Sequence, residues 1–320
     1  MTSARDSGAY GAIHALFRRL PPAWRTELKR ILGSQGHGRS GFDWLTARKD
    51  ATGKKRLDRA LEGLVGTLGP ETARNLRGKV CIDFGAGYVP TDGVALWLLG
   101  ASEVHGVDYN DLARPREIAR AVRAADIGRI ESQLRALELD LGWSDRLDTV
   151  RRWAMKGDDA FPPGYTYVAP ADVIAAPFRV PNFDVLVSTS VLEHIPPSLM
   201  ILMLDALKSR ENDCATQIHR VDLRDHRDFE NDPYGFLDPT RQFDAEVDAD
   251  SRGNGLTLHD WEALLAGHPE LGLTVSGYEP GRPHLMPAAA PHSAKHVVAD
   301  CVVLRGVNAQ STRDMTNAAR

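Results

Sequence analysis

The chain has 320 residues, of which 42% are hydrophobic and 26% are charged, and its formal net charge is −4. This composition is that of an ordinary globular protein with room for one large domain and an appendage. The small negative charge gives no reason to expect a nucleic acid partner, and no run approaches the roughly 18 apolar residues of a membrane span. The N-terminus is polar and lacks the apolar core of a signal peptide, which predicts a cytoplasmic protein.

Residues 1–75 are predicted to form a helical appendage or lid that precedes the first strand. Apolar side chains at helical spacing predict helices at 13–17, at 24–32 and again at 56–68. Lid, oligomer contact and packing support all remain open as roles for this region. A homodimer is therefore left open as well.

From residue 79 onward, short apolar strands alternate with helical patterns. This alternation predicts an α/β fold, a Rossmann-like seven-stranded and mostly parallel sheet over 76–306, followed by a flexible tail at 307–320. The last two strands are joined by a proline-rich loop with no room for a helix, so we expect them to pair antiparallel. The predicted strands are 80–83, 103–108, 165–168, 183–188, 214–221, 273–278 and 296–304.

Two segments interrupt this alternation. The chain between 108 and 165 is longer than one crossover helix needs. It contains a long charged helical stretch at 114–141 and a second at 143–153, which we interpret as a helical insertion over about 110–164. The second segment, after residue 221, is polar and rich in turn residues. It ends at a helix with Thr257 as N-cap.

The stretch Lys79–Tyr88 and the residues after it predict a strand, a glycine turn and a helix in succession. This succession is typical of the start of a nucleotide-binding Rossmann-type domain. A dinucleotide site needs a third glycine, and Pro90 stands at that position. Asp83, just before the glycines, fits poorly beside a pyrophosphate and suits a ligand with positive charge. Asp108, at the end of the second strand, is suited to accept hydrogen bonds from ribose hydroxyls.

These residues resemble the class I S-adenosylmethionine-dependent methyltransferases. The segment 170–173 is similar to the part of that family that binds adenine, and Phe183–Ile195 is similar to its fourth-strand motif. The sequence departs from the family at Val89, where many members carry another glycine. The resemblance implies S-adenosylmethionine as cofactor, with Asp172 on the adenine amine and the Val173 N–H on a ring nitrogen. The cofactor-binding residues that it implies are Asp83, Gly85, Ala86, Gly87, Asp108, Tyr109, Asp172, Val173 and Ser188.

Methyl transfer requires alignment of the acceptor, exclusion of water and removal of a proton where the acceptor carries one. Residues for these tasks are expected beyond the carboxyl ends of the fourth and fifth strands. His194, His219 and His226 are the catalytic candidates there, because histidine suits general-base work near neutral pH. The predicted substrate-binding residues are Asp222, Tyr234 and Phe236. No metal ligand is assigned, although His219, Asp222 and His226 leave that question open.

The favoured function is transfer of a methyl group to oxygen, nitrogen or sulfur of a small-molecule acceptor. The chain has no basic stripe for a nucleic acid, and its 222–237 stretch loosely resembles methyltransferases of bacterial glycan and natural-product pathways. A second reading is an enzyme that transfers or cyclises the aminopropyl-carboxylate arm and releases methylthioadenosine. A third is a non-catalytic binding protein, and a fourth, an NAD-dependent oxidoreductase, is disfavoured by Pro90. The sequence does not identify the acceptor.

Overall fold

The computed structural model describes residues 46–139, 142–157, 159–290 and 298–307. The helices predicted at 13–17 and 24–32 lie outside the described residues, as does the tail beyond residue 307. Within the described ranges, no helix is both long and apolar enough to cross a membrane.

Seven strands form one sheet, which confirms the predicted fold class. The spatial order is β3-β2-β1-β4-β5-β7-β6. The first five strands along the chain are parallel, and β7 runs antiparallel to both of its neighbours, β5 and β6. The strands are β1 (Val80–Phe84), β2 (Glu103–Val107), β3 (Tyr165–Val168), β4 (Phe183–Thr189), β5 (Glu211–Asp222), β6 (Leu273–Pro280) and β7 (Ala299–Val307).

The strand order reverses between β1 and β4, and this reversal positions the site. From β1 the chain moves outward through β2 to β3, then returns to place β4 on the other side of β1. Such a switch point leaves a crevice outside the carboxyl ends of the strands, where ligands of open α/β sheets bind. β4 is central, and its Val185, Leu186 and Val187 are all buried because helices cover both faces of the sheet.

Two hydrophobic cores lie on the two faces of the sheet. One joins β1 to the helices of the first half, and the other joins β4 and β5 to the helices of the second half. Residues 46–52 are also helical. The remaining helices of eight or more residues are α1 (Leu57–Leu68), α2 (Thr91–Leu98), α3 (Pro115–Arg123), α4 (Ile127–Ala136), α5 (Gly142–Lys156), α6 (Pro197–Lys208), α7 (Ala245–Arg252) and α8 (Leu258–Gly267).

The long helix predicted over 114–141 is in fact two helices. α3 ends at Arg123, and the Asp126 side chain accepts a hydrogen bond from the Arg129 amide, which caps the start of α4. Ile118 of α3 and Trp143 of α5 belong to the same core cluster as β1. The helices between β2 and β3 therefore pack against the sheet itself.

The second half of the chain differs from the prediction at helix α7 and at strand β7. Helix α7 lies within the polar stretch predicted as loop, and the Asp244 side chain caps its first turn. β7 begins at Ala299 and continues to Val307, which pairs with Thr216, whereas the predicted strand covers 296–304. The Thr257 cap is confirmed, and it forms a reciprocal capping box with Asp260.

Candidate active site

The turn after β1 requires glycine at two positions, 85 and 87. Gly85 has φ +72° and Gly87 has φ +66°, a region that residues with a Cβ rarely adopt. A Cβ on Gly85 would lie 2.2 Å from Cγ2 of Val191, which follows β4. The turn therefore contacts the segment after β4 directly, at the switch point of the sheet.

Asp83 lies at the end of β1 and caps helix α2. Its Oδ2 accepts a hydrogen bond of 3.0 Å from the Gly93 amide, one of the free N–H groups in the first turn of that helix. Burial raises the pKa of Asp83 to about 7; the Asp92 charge adds to this rise, and Lys55 opposes it. The helix N-terminus therefore already has a carboxylate bound to it.

Lys55 is a charged neighbour of Asp83 that the sequence did not indicate. Its Nζ donates a hydrogen bond of 2.6 Å to Asp92 Oδ2. Burial works to lower the pKa of Lys55, but the charges of Asp92 and Asp83 outweigh it and raise the pKa. No sequence motif indicates this lysine, because it precedes α1 in the region predicted only as a helical appendage.

Asp108 lies just after β2 and binds the glycine turn. Its Oδ2 accepts from the Gly87 amide at 2.7 Å, and its Oδ1 accepts from the Asn110 amide at 2.8 Å. Burial raises the pKa of Asp108, and these two backbone hydrogen bonds oppose the rise. Ala86 is buried within the turn, whereas Tyr109 is 69% exposed beside Asp108.

The segment that resembles an adenine-binding loop lies next to Asp108. The Ala171 amide donates a hydrogen bond of 2.8 Å to the Asp108 carbonyl oxygen. Asp172 is exposed, and its Oδ1 accepts from the backbone amides of Ile174 and Ala175 at 3.1 and 3.0 Å. Val173 is buried in the core cluster beneath. The structure therefore brings the predicted ribose and adenine segments together at one edge of the sheet.

Ser188, predicted to bind the cofactor, and His219, predicted at the mouth of the site, both lie buried inside the sheet. They are register partners on β4 and β5, and Ser188 Oγ lies 2.8 Å from His219 Nδ1. His219 Nε2 lies 3.0 Å from Gln217 Oε1. Burial lowers the pKa of His219 to about 3, and its side chain is 0% exposed. A ring so enclosed is removed from any acceptor.

The predicted substrate-binding residues make internal contacts. Asp222 accepts two hydrogen bonds from the Arg224 guanidinium at 2.8 and 2.6 Å; burial acts to raise the pKa of Asp222, but this arginine lowers it. The buried Tyr234 hydroxyl donates to Asp300. Phe236 is half-buried, with its ring centroid 5.7 Å from that of Phe243. Tyr234 is therefore a core residue and cannot reach a substrate, whereas Phe236 keeps a partly open face.

His194 and His226 are brought together with Glu193, beyond the carboxyl ends of β4 and β5. The two imidazole rings are 4.8 Å apart in an edge-to-face arrangement. Each of the three residues offers a ligand atom within 4.8 Å of the others. Among the described residues, neither Glu193 oxygen has a hydrogen-bond partner, and the same holds for Nε2 of His226.

The environment of this trio favours neutral groups. Burial raises the pKa of Glu193 to about 8; the Asp222 charge adds to this rise, and polar groups of Ser190 and Asp222 oppose it. Burial lowers the pKa of His226 to about 4, and His194 contributes to the shift. Glu193 is a site residue that sequence reasoning missed, although its place beside His194 after a central strand was a signal.

The 225–254 region holds the trio in place. The Asn254 amide donates to the Glu193 carbonyl oxygen at 2.6 Å, and its side chain donates to the carbonyls of Leu192 and Ile195, both at 3.0 Å. Arg252 forms a buried ion pair of 2.5 Å with Asp225. No sequence motif foretold either of these contacts.

The strand order, with β7 inserted antiparallel between β5 and β6 and a glycine turn at the switch point, is that of the class I methyltransferase fold. No family model matches the chain, and no curated protein matches it. The solved structures similar to it include methyltransferases of distant sequence.

An O-methyltransferase family protein from Burkholderia thailandensis is similar with a TM-score of 0.45 and 11% identity, over 86% of this chain and 63% of that one. Magnesium protoporphyrin IX methyltransferase from Synechocystis PCC 6803, with bound SAH, is similar with a TM-score of 0.39 and 15% identity, over 88% and 93%. An S-adenosylmethionine dependent methyltransferase from Mesorhizobium loti is similar with a TM-score of 0.39 and 15% identity, over 78% and 99%. At these distances the fold class rests on the strand order itself.

Proposed function

We propose that this protein is an S-adenosylmethionine-dependent methyltransferase that acts on a small-molecule acceptor. One observation carries the proposal: the Asp83 carboxylate accepts the Gly93 amide at the N-terminus of α2. In a dinucleotide site, the pyrophosphate accepts hydrogen bonds from such amides. Asp92 of the same turn is paired with Lys55, so Asp83 is the carboxylate that a phosphate would meet at these amides, whereas a ligand with an ammonium and a sulfonium meets a charge of opposite sign.

The neighbouring residues support the same ligand. Asp108 accepts backbone hydrogen bonds on both oxygens, and each oxygen retains a lone pair for a ribose hydroxyl. The loop around Val173 is tied to Asp108 through Ala171 and offers backbone groups and an apolar surface for a purine ring. The ammonium, ribose and adenine groups of S-adenosylmethionine would thus each have a partner, one after another, along the edge of the sheet from β1 to β3.

S-adenosylmethionine supplies a methyl group on a positively charged sulfur, so the protein itself has to position the acceptor and handle its proton. His194 and His226 are the histidines that we propose for the acceptor side, because they follow β4 and β5 and lie next to the glycine turn through Val191. His219 is not retained in that role. The half-buried Phe236 remains a proposed acceptor contact.

Cofactor choice is tested by calorimetry on the full chain with S-adenosylmethionine, S-adenosylhomocysteine and NAD⁺. We expect both sulfur ligands to bind and NAD⁺ not to bind. The Asp83→Asn variant, which removes the charge while keeping the size, is expected to weaken the sulfur ligands. Binding of NAD⁺ alone would overturn the proposal.

The reaction is tested with S-adenosylmethionine and a panel of hydroxyl, amine and thiol acceptors, followed by mass spectrometry of the sulfur product. Accumulation of S-adenosylhomocysteine together with a methylated acceptor is the expected result. Methylthioadenosine in its place would assign transfer of the aminopropyl-carboxylate arm. Cofactor binding without turnover across the panel would favour a binding protein.

A further inference from the structure

We propose that Glu193, His194 and His226 bind a divalent transition-metal ion. Their ligand atoms all lie within 4.8 Å of one another. Two imidazole nitrogens and one carboxylate form the three-ligand set of catalytic zinc sites and of mononuclear iron(II) sites. The first preference of such a donor set is a borderline ion such as Zn²⁺, Fe²⁺ or Mn²⁺ rather than Ca²⁺.

Burial of the carboxylate is the strongest argument for a cation. Glu193 is 1% exposed, and among the described residues neither of its oxygens is hydrogen-bonded. A buried polar group with no partner is costly, and a buried carboxylate with no partner is more so. Arg252, the buried cation at the end of α7, is already paired with Asp225 at 2.5 Å. Among the described residues Glu193 forms no salt bridge, and a metal ion would give its oxygens a cationic partner.

The histidines are oriented as metal ligands are. His194 Nδ1 lies 3.1 Å from the Ala249 carbonyl oxygen, which can only accept, so Nδ1 carries the proton and the Nε2 lone pair is free. This is the outer-shell hydrogen bond by which proteins set the tautomer of a ligating histidine. His226 also offers a buried Nε2 with no hydrogen-bond partner among the described residues.

Main-chain contacts fix the three ligands on two segments that meet. Glu193 and His194 share one turn of 3-10 helix, Leu192–His194, whose carbonyls are held by Asn254. The His226 amide donates to the Arg252 carbonyl oxygen at 3.0 Å. Both segments are therefore anchored to residues 252–254, which keeps the three ligand side chains close together; the ion would draw their ligand atoms inward to bonding distance.

A role in catalysis follows from this location, and this step rests on the proposed methyl transfer. An acceptor hydroxyl that binds the ion loses its proton to solvent more readily, because the cation stabilises the resulting oxyanion. The oxygen lone pair then forms the new bond to the methyl carbon. The carbon–sulfur bond breaks with its electron pair on sulfur. No oxidant or reductant is needed. Acceptors with an oxygen donor are thus the class that the site selects.

Metal binding is tested without turnover. The full chain, produced without a histidine tag and treated with a chelator, is titrated with Zn²⁺ by calorimetry and with Co²⁺ by visible absorption. We expect one ion per chain in the site, with Co²⁺ bands from nitrogen and oxygen ligands. Glu193→Gln and His226→Ala are each expected to weaken Zn²⁺ binding by about tenfold or more, the range found when a ligand environment is damaged.

His259→Ala is the matched control, because His259 is an exposed histidine on α8 and is not one of the three grouped ligands. It is expected to bind the ion as the parent does. If one of the two variants does not fold, the other variant is used in its place. The rise in melting temperature of the parent protein on adding Zn²⁺ is a further measurement that needs no variant. Absence of binding by the parent, or equal binding by all variants, would overturn the site.

The two proposals fail separately. If S-adenosylmethionine binds to the metal-free protein but Zn²⁺ does not bind, the proposed methyltransferase function stands and the proposed metal site is wrong. If Zn²⁺ binds through the trio but S-adenosylmethionine does not bind, the metal site stands and the proposed methyl transfer is wrong.

Discussion

The two halves of the candidate site are built in different ways. On the β1–β2 side, acidic side chains at the ends of two neighbouring strands bind backbone amides near the β1 turn: Asp83 accepts from Gly93, ten residues later, and Asp108 accepts from Gly87, 21 residues earlier. On the β4–β5 side, the trio depends on residues of a distant loop, such as Asn254. The hydrogen bonds of the first half join residues 10 and 21 positions apart, whereas Asn254 in the second half bonds Leu192 and Ile195, 62 and 59 positions away. We therefore expect a single substitution in the first half to affect only the contact that it removes. In the second half, we expect one substitution to disturb all three residues of the trio together.

The buried ion pair beneath the second half should give the largest effect. Arg252→Ala leaves the Asp225 carboxylate buried, and we expect the free energy of unfolding to fall by about 3 kcal/mol or more. Urea titration followed by circular dichroism measures this change. We also expect binding of S-adenosylhomocysteine under native conditions to stay within about twofold, because the cofactor half does not use this pair.

Arg129→Ala is the control for that experiment. Arg129 and Glu62 also form an ion pair of 2.5 Å, but both side chains are substantially exposed. Its loss should therefore cost about 1 kcal/mol or less. Equal losses from the two arginine variants would show that the second half does not depend on the buried pair.

Asp108 should have the next largest effect, this time on binding. Asp108→Asn keeps one acceptor oxygen where the carboxylate has two, so the variant cannot accept from Gly87, from Asn110 and from a ribose together. A hydrogen bond to a charged group contributes about 1.5–3 kcal/mol, which corresponds to a loss of affinity of roughly 10- to 100-fold. Calorimetry with S-adenosylhomocysteine measures the change. Asp111→Asn, three residues along the same loop and exposed, should bind normally.

His219 tests the sequence-based prediction that the structure corrects. His219→Gln removes the ring that spans Ser188 and Gln217, and we expect the free energy of unfolding to fall by about 1–3 kcal/mol. The Michaelis constant for the acceptor and the pH profile of turnover should not change. If the variant is as stable as the parent protein but inactive, His219 touches the substrate after all.

The same contrast explains what the sequence could predict. Strand, glycine turn and helix after Lys79 are specified by neighbouring residues, so the first half and most strand positions followed from local pattern. The burial of His219 depended on which face of the sheet its side chain occupies, and a register shift near the start of the β4–β5 pairing alters the alternation. Asp225 and Arg252 are 27 residues apart, and only the folded chain shows that they meet.

Asp83 gives the smallest effect, and it is a dependence on pH. Because the pKa of Asp83 is raised to about 7, a cationic ligand should bind more tightly as the carboxyl group ionises. Between pH 6 and pH 7 the ionised fraction rises about fivefold, and affinity for S-adenosylmethionine should rise in proportion. Calorimetry at several pH values measures this. The charged groups that face Asp83 are Lys55, Asp92 and Asp108.

The stability of the ligand-free protein should change in the opposite direction. The folded-state pKa of Asp83 lies above its unfolded value, so the folded state binds more protons between pH 4 and pH 7. Stability contributed by this group is present below the unfolded pKa and is lost as the pH rises towards 7. Asp83→Asn has no such proton and should flatten both profiles. If the variant keeps the binding profile of the parent protein, the titrating group is another carboxylate, and Asp83 is then only the cap of α2.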